Sequence, residues 1–286
     1  MNELEKDNRY IKRWIESNQP FFIGRIAGVE LQICYSIRSK ELTTLQFQLE
    51  ELENNAGIKI TSNESLQEYV NKLVKSYENC SCIAEWERMG KVFEITGCSQ
   101  EWIGKMTPHI PKINAMSLEP YYVSNSISWM SSLQNKKILI IHPFIHTFQK
   151  QLQKIKVNEL FPNHSWFKDC TFQFIKPPVT LAGNHENKDW RDHYNDFVEE
   201  VKRVEDFDVA LVAAGGYGML ISDMIYKEMD KSVIYIGGAL QLFFGVIGKR
   251  WFTNKGIMKL VNDEWIRPLQ EDKPGNFVRV EKGCYW

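Results

Sequence analysis

Residues 207–251 constrain the fold most, because two short apolar runs in this segment are each followed directly by glycines. The runs at 208–214 (DVALVAA) and 232–236 predict strands that are buried on both faces, as in parallel sheets. Between them, residues 219–229 have the apolar spacing of a helix. Two parallel strands joined by one helix form a βαβ unit, and ligands of such sheets bind at the carboxyl ends of the strands.

Glycines stand at both of these strand ends. Gly215, Gly216 and Gly218 follow the first strand, and Gly237 and Gly238 follow the second. Glycine lets the backbone approach a ligand closely, and the N–H groups at a helix start bind anions, so the pattern predicts a phosphorylated ligand. Ordinary turns that need positive φ explain the same glycines equally well.

Two common nucleotide-binding motifs are missing from the sequence. In G-x-G-x-x-G, the third glycine would stand where this chain has Ile221, and no acidic residue ends the second strand to bind a ribose. The phosphate-loop pattern G-x-x-x-x-G-K-[ST] does not occur either. A nucleotide-dependent oxidoreductase is therefore a less favoured class.

The rest of the chain continues the alternation of strands and helices. Strands are predicted at 21–26, 82–86, 136–142 and 171–175, and helices at 1–18, 29–39, 43–54, 65–77, 147–156, 190–204 and 239–246. The pattern predicts an α/β fold with a Rossmann-like open, mostly parallel sheet and helices on both faces. We expect a single domain over 1–286, in which 268–286 form a docked C-terminal tail, and irregular structure over the proline-containing stretch 97–122.

Composition excludes several classes of protein. A net charge of −1 argues against a nucleic-acid partner, which would favour a basic surface. No apolar run approaches the ~20 residues that span a bilayer, and the polar N-terminus has no signal-peptide core. The six cysteines are too few and too scattered for a disulfide scaffold. These features predict a cytoplasmic protein with no integral membrane segment.

Four segments resemble parts of GT-D-type glycosyltransferases: the opening FFIGRIAGVE, the GGYG at 215–218, the block IGGALQLFFGVIGKRW at 236–251, and the terminal GCYW. The resemblance touches both ends of the chain. It implies a nucleotide-sugar-dependent transferase on a single Rossmann-like domain, of the kind used in polysaccharide and glycoprotein glycan biosynthesis. The partners it implies are a nucleotide sugar donor and a glycan or glycosylated acceptor.

One departure from that family concerns the metal. Its D-x-E motif holds the divalent cation and the diphosphate, whereas the matching positions here are Gly28-Val29-Glu30, so only Glu30 remains as a metal ligand. Transfer could proceed without metal, or another acid could replace the aspartate and hold Mn²⁺ or Mg²⁺. As a further alternative, the chain is a catalytically silent nucleotide- or sugar-binding paralogue.

The chemistry of transfer singles out candidate residues. The departing diphosphate needs positive charge, for which Arg25, Lys249 and Arg250 are the candidates, although surface salt bridges would also explain them. An acceptor hydroxyl needs a base if the configuration inverts, for which Glu30 is the first candidate and His142 the second.

Further substrate contacts are predicted at strand ends and turns. Gly28 and the glycines at 215, 216, 218, 237 and 238 would approach the ligand, and Asn184 could bond a sugar or ribose hydroxyl. Tyr217 could stack on the base or pack in the interior. Gln241 lies in an apolar run, where a buried amide needs partners that a ligand hydroxyl or a loop carbonyl would supply.

Overall fold

This computed structural model describes residues 2–161 and 163–286, except for the side chains of Lys91 and Asn158. In this part of the chain, seven strands form one sheet. Met1, where the predicted first helix begins, lies outside the described residues. In chain order the strands are β1 (Phe22–Arg25), β2 (Cys82–Glu85), β3 (Lys112–Asn114), β4 (Lys137–Ile141), β5 (Thr171–Ile175), β6 (Val209–Val212) and β7 (Ser232–Tyr235).

The sheet is open, and its strands pair in parallel in the order β3-β2-β1-β7-β6-β4-β5. From β1 the chain moves outward through β2 and β3, and then crosses to the other half of the sheet at β4. Such a reversal of direction leaves a crevice at the carboxyl ends of the central strands. The predicted Rossmann-like α/β fold is therefore confirmed.

Helices cover both faces of the sheet. They are α1 (Glu3–Glu16), α2 (Gly28–Ser39), α3 (Leu45–Glu51), α4 (Asn63–Glu78), α5 (Gly90–Met106), α6 (Ile145–Lys154), α7 (Trp190–Lys202), α8 (Gly218–Glu228) and α9 (Lys255–Met258). Helices α2, α4, α7 and α8 contribute to one apolar core, and α1 and α6 contribute to the other. No helix in the described ranges is long and apolar enough to cross a membrane.

The predicted βαβ unit is present as β6, α8 and β7. Strand β6 is buried along its whole length because cores lie on both faces, which is why its sequence, VALV, does not alternate with polar residues. Leu211 pairs with Ile234 and Val212 with Tyr235, so the two strands are direct neighbours. Their carboxyl ends, with the glycines that follow, lie side by side at the centre of the sheet.

Two sequence predictions are wrong. The sequence predicts irregular structure over 97–122, but the first part of this stretch belongs to α5, and β3 follows. Gly97 is accommodated inside the helix, and Pro108 and Pro111 lie beyond its end. The run 239–246 was expected to be an α-helix, but a 3₁₀ helix, Gly238–Phe244, ends there at Gly245 with φ of 64°. The side chains of Ala239 to Phe244 are all buried, so this run has no polar face of the kind that marks a surface helix.

The C-terminal residues pack against the carboxyl edge of the sheet. Short 3₁₀ turns at Gln270–Asp272, Phe277–Arg279 and Glu281–Gly283 lead to Trp286, which is 4% exposed. The indole Nε1 of Trp286 donates to the Asp272 carbonyl at 3.3 Å, and its ring contacts those of Phe144 and Phe277. The tail therefore becomes part of whatever site lies at this edge.

Candidate functional site

A cavity of about 350 Å³ lies at the carboxyl ends of the central strands. Residues that follow β1, β2, β4, β6 and β7 line it, and so do residues of the C-terminal tail. This volume is within the range of small-molecule sites, and the position is the one expected for ligands of an open parallel sheet. The glycines Gly215, Gly237 and Gly238, which the sequence places at strand ends, are in the lining.

The start of α2 forms one side of the cavity. Its N-cap residue is Ala27, which has no side chain to bond the free N–H groups of the first turn. The Tyr77 hydroxyl fixes the turn before the helix, because it accepts from the Ala27 N–H at 2.9 Å and donates to the Arg25 carbonyl at 3.1 Å. At Gly28, a Cβ would lie 2.8 Å from the methyl group of Thr96 on α5, so a larger residue fits only if the Thr96 side chain shifts. The first turn of the helix therefore has no side-chain cap at its start, and a helix start of this kind favours an anion.

Glu30 lies in this first turn and lines the cavity. It is 8% exposed, and burial raises the pKa of its carboxyl above the ordinary value. A hydrogen bond from the Glu30 backbone N–H lowers the pKa, as does the charge of Arg25, while the negative charge of Glu281 raises it, and burial is the largest effect. Glu30 is therefore a buried carboxyl that holds its proton to higher pH than a surface glutamate does.

Arg25 ends β1 beside the cavity. Its guanidinium lies 4.4 Å from the centroid of the Trp86 ring and donates to the Ile236 carbonyl. Gly237 makes this position accessible: its φ is +74°, and a Cβ there would lie 2.9 Å from Arg25 Nη1. The predicted cation and a glycine after β7 therefore meet, and the stacked ring holds the guanidinium in place.

Arg250 provides a second cation at the cavity, held by the tail. Its Nη1 donates to the Tyr285 hydroxyl at 2.6 Å and lies 3.8 Å from Glu281 Oε2. The Arg250 guanidinium also lies 4.9 Å from the centroid of the Tyr285 ring. Tyr285 packs directly on Gly238, where any Cβ would overlap the ring. This glycine therefore accommodates the tail.

His142 follows β4 and is 2% exposed. Its Nδ1 accepts a hydrogen bond from the Phe144 N–H at 2.9 Å, which leaves the proton of the neutral ring on Nε2. Burial lowers the pKa of His142 to about 3. Near neutral pH this side chain is therefore a hydrogen-bond donor through Nε2–H, with its basic nitrogen already occupied.

Gln241 is fully buried and lines the cavity from the segment after β7. Its Nε2 donates to the carbonyls of Val246 at 3.1 Å and Tyr285 at 3.3 Å. Both donors therefore bond to the protein, while Oε1 has no partner among the described residues.

Three predicted contact residues in the first glycine turn lie outside the cavity lining. Gly216 packs on Ile58 and Gly218 packs on the Tyr235 ring, where a Cβ would overlap in each case. The Tyr217 ring is buried, and its hydroxyl donates to the Gly57 carbonyl at 3.3 Å. These residues pack the turn against its neighbours.

Asn184 and Lys249 also lie away from the lining. The Asn184 Nδ2 donates to the carbonyls of Leu181 at 2.6 Å and Gly275 at 2.8 Å, and so it ties the C-terminal tail to the loop after β5. Lys249 is exposed. Of the two neighbouring cations at this position, only Arg250 lines the cavity.

Sequence reasoning missed three residues that shape the site: Trp86, Glu281 and Tyr285. Trp86 directly follows β2, and the rule that residues at strand ends form the site would have found it. Glu281 and Tyr285 lie in the tail, far along the chain from the strands they join, and although Tyr285 belongs to the GCYW segment, no local pattern assigned either residue to the site.

The described side chains include no cluster of three or more histidine, cysteine, aspartate and glutamate residues that could hold a metal ion. Two carboxylates, Glu30 and Glu281, line the cavity. Comparisons with protein-family models, with curated proteins and with solved structures find no match for this chain.

Proposed function

We propose that this protein is a cytosolic glycosyltransferase that moves a sugar from a nucleotide diphosphate sugar to a glycan or glycosylated acceptor. The observation that carries the proposal is the meeting of Arg25, Glu30 and the uncapped start of α2 in one cavity at the strand ends. A diphosphate leaving group and a proton-accepting carboxylate need this combination. All six cysteines are free thiols, which suits a reducing compartment.

The positively charged side of the cavity would compensate the negative charge of the departing diphosphate. The N–H groups at the start of α2 supply fixed partial charges, and Arg25 and Arg250 supply two full charges. Trp86 and Tyr285 hold these guanidinium groups against their rings, so little reorganisation is needed when charge develops on the leaving group.

Glu30 is the better of the two predicted bases. A general base works best when its pKa approaches the working pH, and burial raises the pKa of Glu30 in that direction. His142 has a pKa shifted the opposite way, and its Nδ1 is occupied by the Phe144 N–H. In the proposed reaction Glu30 takes the proton of the acceptor hydroxyl, and His142 orients a ligand oxygen through Nε2–H.

A divalent cation fits this site as an addition to the diphosphate. Glu30 and Glu281 repel one another, and Mg²⁺ or Mn²⁺ accepts one or two carboxylates when substrate phosphates and water complete its oxygen ligands. Glu281 would hold the cation together with the diphosphate and water, which leaves Glu30 as the base, and the bound cation would supply further positive charge to the leaving group. Glu281 would then be the acid that replaces the missing aspartate.

Thermal shift with nucleotides tests the proposal. Purified protein is heated with UDP, GDP, dTDP, CMP or their sugars, each with and without Mn²⁺, and a ligand at 100 times its Kd adds about 2.7 kcal/mol of stability. We expect one nucleotide class to raise the Tm of wild type and of the exposed-surface control Arg203→Met, but not of Arg25→Met.

A turnover assay distinguishes an active transferase from a silent nucleotide-binding paralogue. Release of nucleotide from the bound sugar donor in the presence of acceptor would support the transferase, whereas binding without any release would favour a silent paralogue. If no nucleotide or nucleotide sugar shifts the Tm of wild type, the proposed function is wrong.

A further inference from the structure

Gln241 is a buried polar side chain that the proposed charge compensation and proton transfer do not use. It is 0% exposed, and its Oε1 lacks a hydrogen-bond partner among the described residues. A buried acceptor without a partner costs free energy, and a ligand that donates to it removes that cost once the side chains that cover the oxygen move aside.

The orientation of the Gln241 amide is set by the protein. Nε2 donates to two carbonyl oxygens, those of Val246 and Tyr285, so turning the amide over would place Oε1 against both of them. The oxygen is therefore fixed as an acceptor. A phosphate offers only acceptors at neutral pH, so the phosphates of a ligand have no bond to make here.

The wall around Gln241 has the character of a site for a neutral group. Trp286 lies next to both Tyr285 and Phe144, with ring centroids 6.0 Å and 5.7 Å away, and all three line the cavity. His142 contacts Phe144 in turn, at 4.9 Å between ring centroids, and also lines the cavity. Aromatic surface with a few fixed polar groups suits a sugar, which has apolar C–H faces and hydroxyls that both donate and accept.

We propose that Gln241 Oε1 accepts a hydrogen bond from one hydroxyl of the donor sugar, and that Gln241 thereby selects among donors that carry the same nucleotide. This inference rests on the proposed function, because it names which part of the nucleotide sugar the Gln241 wall binds. The side of the cavity that carries Arg25 and Arg250 binds the diphosphate. The wall formed by Gln241, His142 and the aromatic residues binds the sugar.

The test compares Gln241→Met with Gln151→Met. Gln151 is a matched control: it is 1% exposed, its Nε2 donates to the Glu264 carbonyl, its Oε1 is also unpartnered in the described structure, and it does not line the cavity. Calorimetric titration gives the Kd of each protein for a nucleotide and for the matching nucleotide sugar. Gln241→Met should weaken binding of the nucleotide sugar about five- to tenfold and leave the nucleotide alone unchanged, while Gln151→Met changes neither.

Other outcomes overturn the inference. An unchanged Kd for the nucleotide sugar in Gln241→Met excludes the hydrogen bond, and an equal loss for nucleotide and nucleotide sugar moves the contact to the ribose or base. If Gln241→Met does not fold, wild type is titrated with nucleotide sugars that each lack one hydroxyl. A loss of about tenfold at one position supports the inference, and equal affinity at all positions overturns it.

Failure of the proposed function can be distinguished from failure of this inference. If wild type binds no nucleotide and no nucleotide sugar, it is titrated with free glucose, galactose and N-acetylglucosamine. Binding that Gln241→Met loses and Gln151→Met keeps would support a sugar contact at Oε1 without a transferase. Absence of any sugar binding would overturn the inference together with the proposed function.

Discussion

Acidification should destabilise wild type more than a His142→Asn variant, because the fold holds His142 neutral. The ring is buried, its Nδ1 accepts from the Phe144 N–H at 2.9 Å, and burial lowers its pKa from an ordinary value of 6.5 to about 3. As the pH falls below about 6.5, the unfolded chain binds a proton at this position and the folded chain does not. Stability is therefore lost progressively as the pH falls from there toward the folded pKa.

The size of the effect follows from the two pKa values. Between pH 7 and pH 5, the difference in proton binding costs the folded state about 2 kcal/mol. For a chain of this length, that corresponds to a decrease in Tm of roughly 3 °C.

The variant isolates this one group. Asparagine can present its Oδ1 to the Phe144 N–H and cannot titrate, so it keeps the local hydrogen bond without the pH dependence. Urea unfolding at pH 7, 6 and 5 should show that wild type loses about 2 kcal/mol more than His142→Asn, since the other titrating groups are common to both proteins. His109→Asn, which changes an exposed histidine, controls for a general effect of losing a histidine.

Parallel pH profiles for wild type and His142→Asn would refute the reasoning. In that case His142 would protonate in the folded protein near its ordinary pKa, and it would again be a candidate base beside Glu30.

Three further predictions follow from side chains in or behind the cavity. Because burial raises the pKa of Glu30, the folded state keeps this proton to higher pH than the unfolded state does, and stability falls as the pH rises above 4.5. Glu30→Gln should therefore unfold at a higher Tm than wild type at pH 8 but not at pH 4. The same variant should bind nucleotide without turnover. Gly237→Ala should lower stability by about 1–3 kcal/mol in urea unfolding and weaken nucleotide binding in calorimetry, because φ is +74° and the new methyl would displace Arg25. Asp272→Asn should lower the free energy of unfolding by about 1–3 kcal/mol at pH 7, since the Asp272 carboxylate accepts from both the N–H and the hydroxyl of Thr147 at 2.7 Å. These bonds lower the pKa of Asp272, so wild type should lose its greater stability as the pH falls below 3.8.

The centre of the fold was predictable because its signals are local. The runs that became β6 and β7 are apolar without alternation, since both faces of the sheet are covered, and the helix between them has its own periodicity. Glycines directly after the strands also placed Gly215, Gly237 and Gly238 at the edge that forms the cavity. Strand β3 was missed because three residues between prolines and a helix give too short a pattern to detect.

The tail side of the site was not predictable residue by residue. Contacts of Tyr285 with Arg250, Gly238 and the Gln241 amide join positions 35 or more residues apart. Each such contact depends on how the tail crosses the carboxyl edge of the sheet, and periodicity carries no information on that path. The sequence predicted that residues 268–286 dock, but not which polar groups they would bring to the site.

Glu30 and His142 look equivalent in sequence, as single titratable residues just beyond buried strands, and their surroundings make them chemically opposite. Burial favours the neutral form of both, which raises the pKa of the carboxyl and lowers that of the imidazole. The buried acid therefore becomes a stronger base than an ordinary glutamate, while the buried histidine becomes a weaker base than an ordinary one. The Phe144 N–H strengthens the difference, because it occupies the nitrogen on which His142 would accept a proton. One physical effect, desolvation at the same edge of the sheet, thus assigns proton acceptance to Glu30 and hydrogen-bond donation to His142.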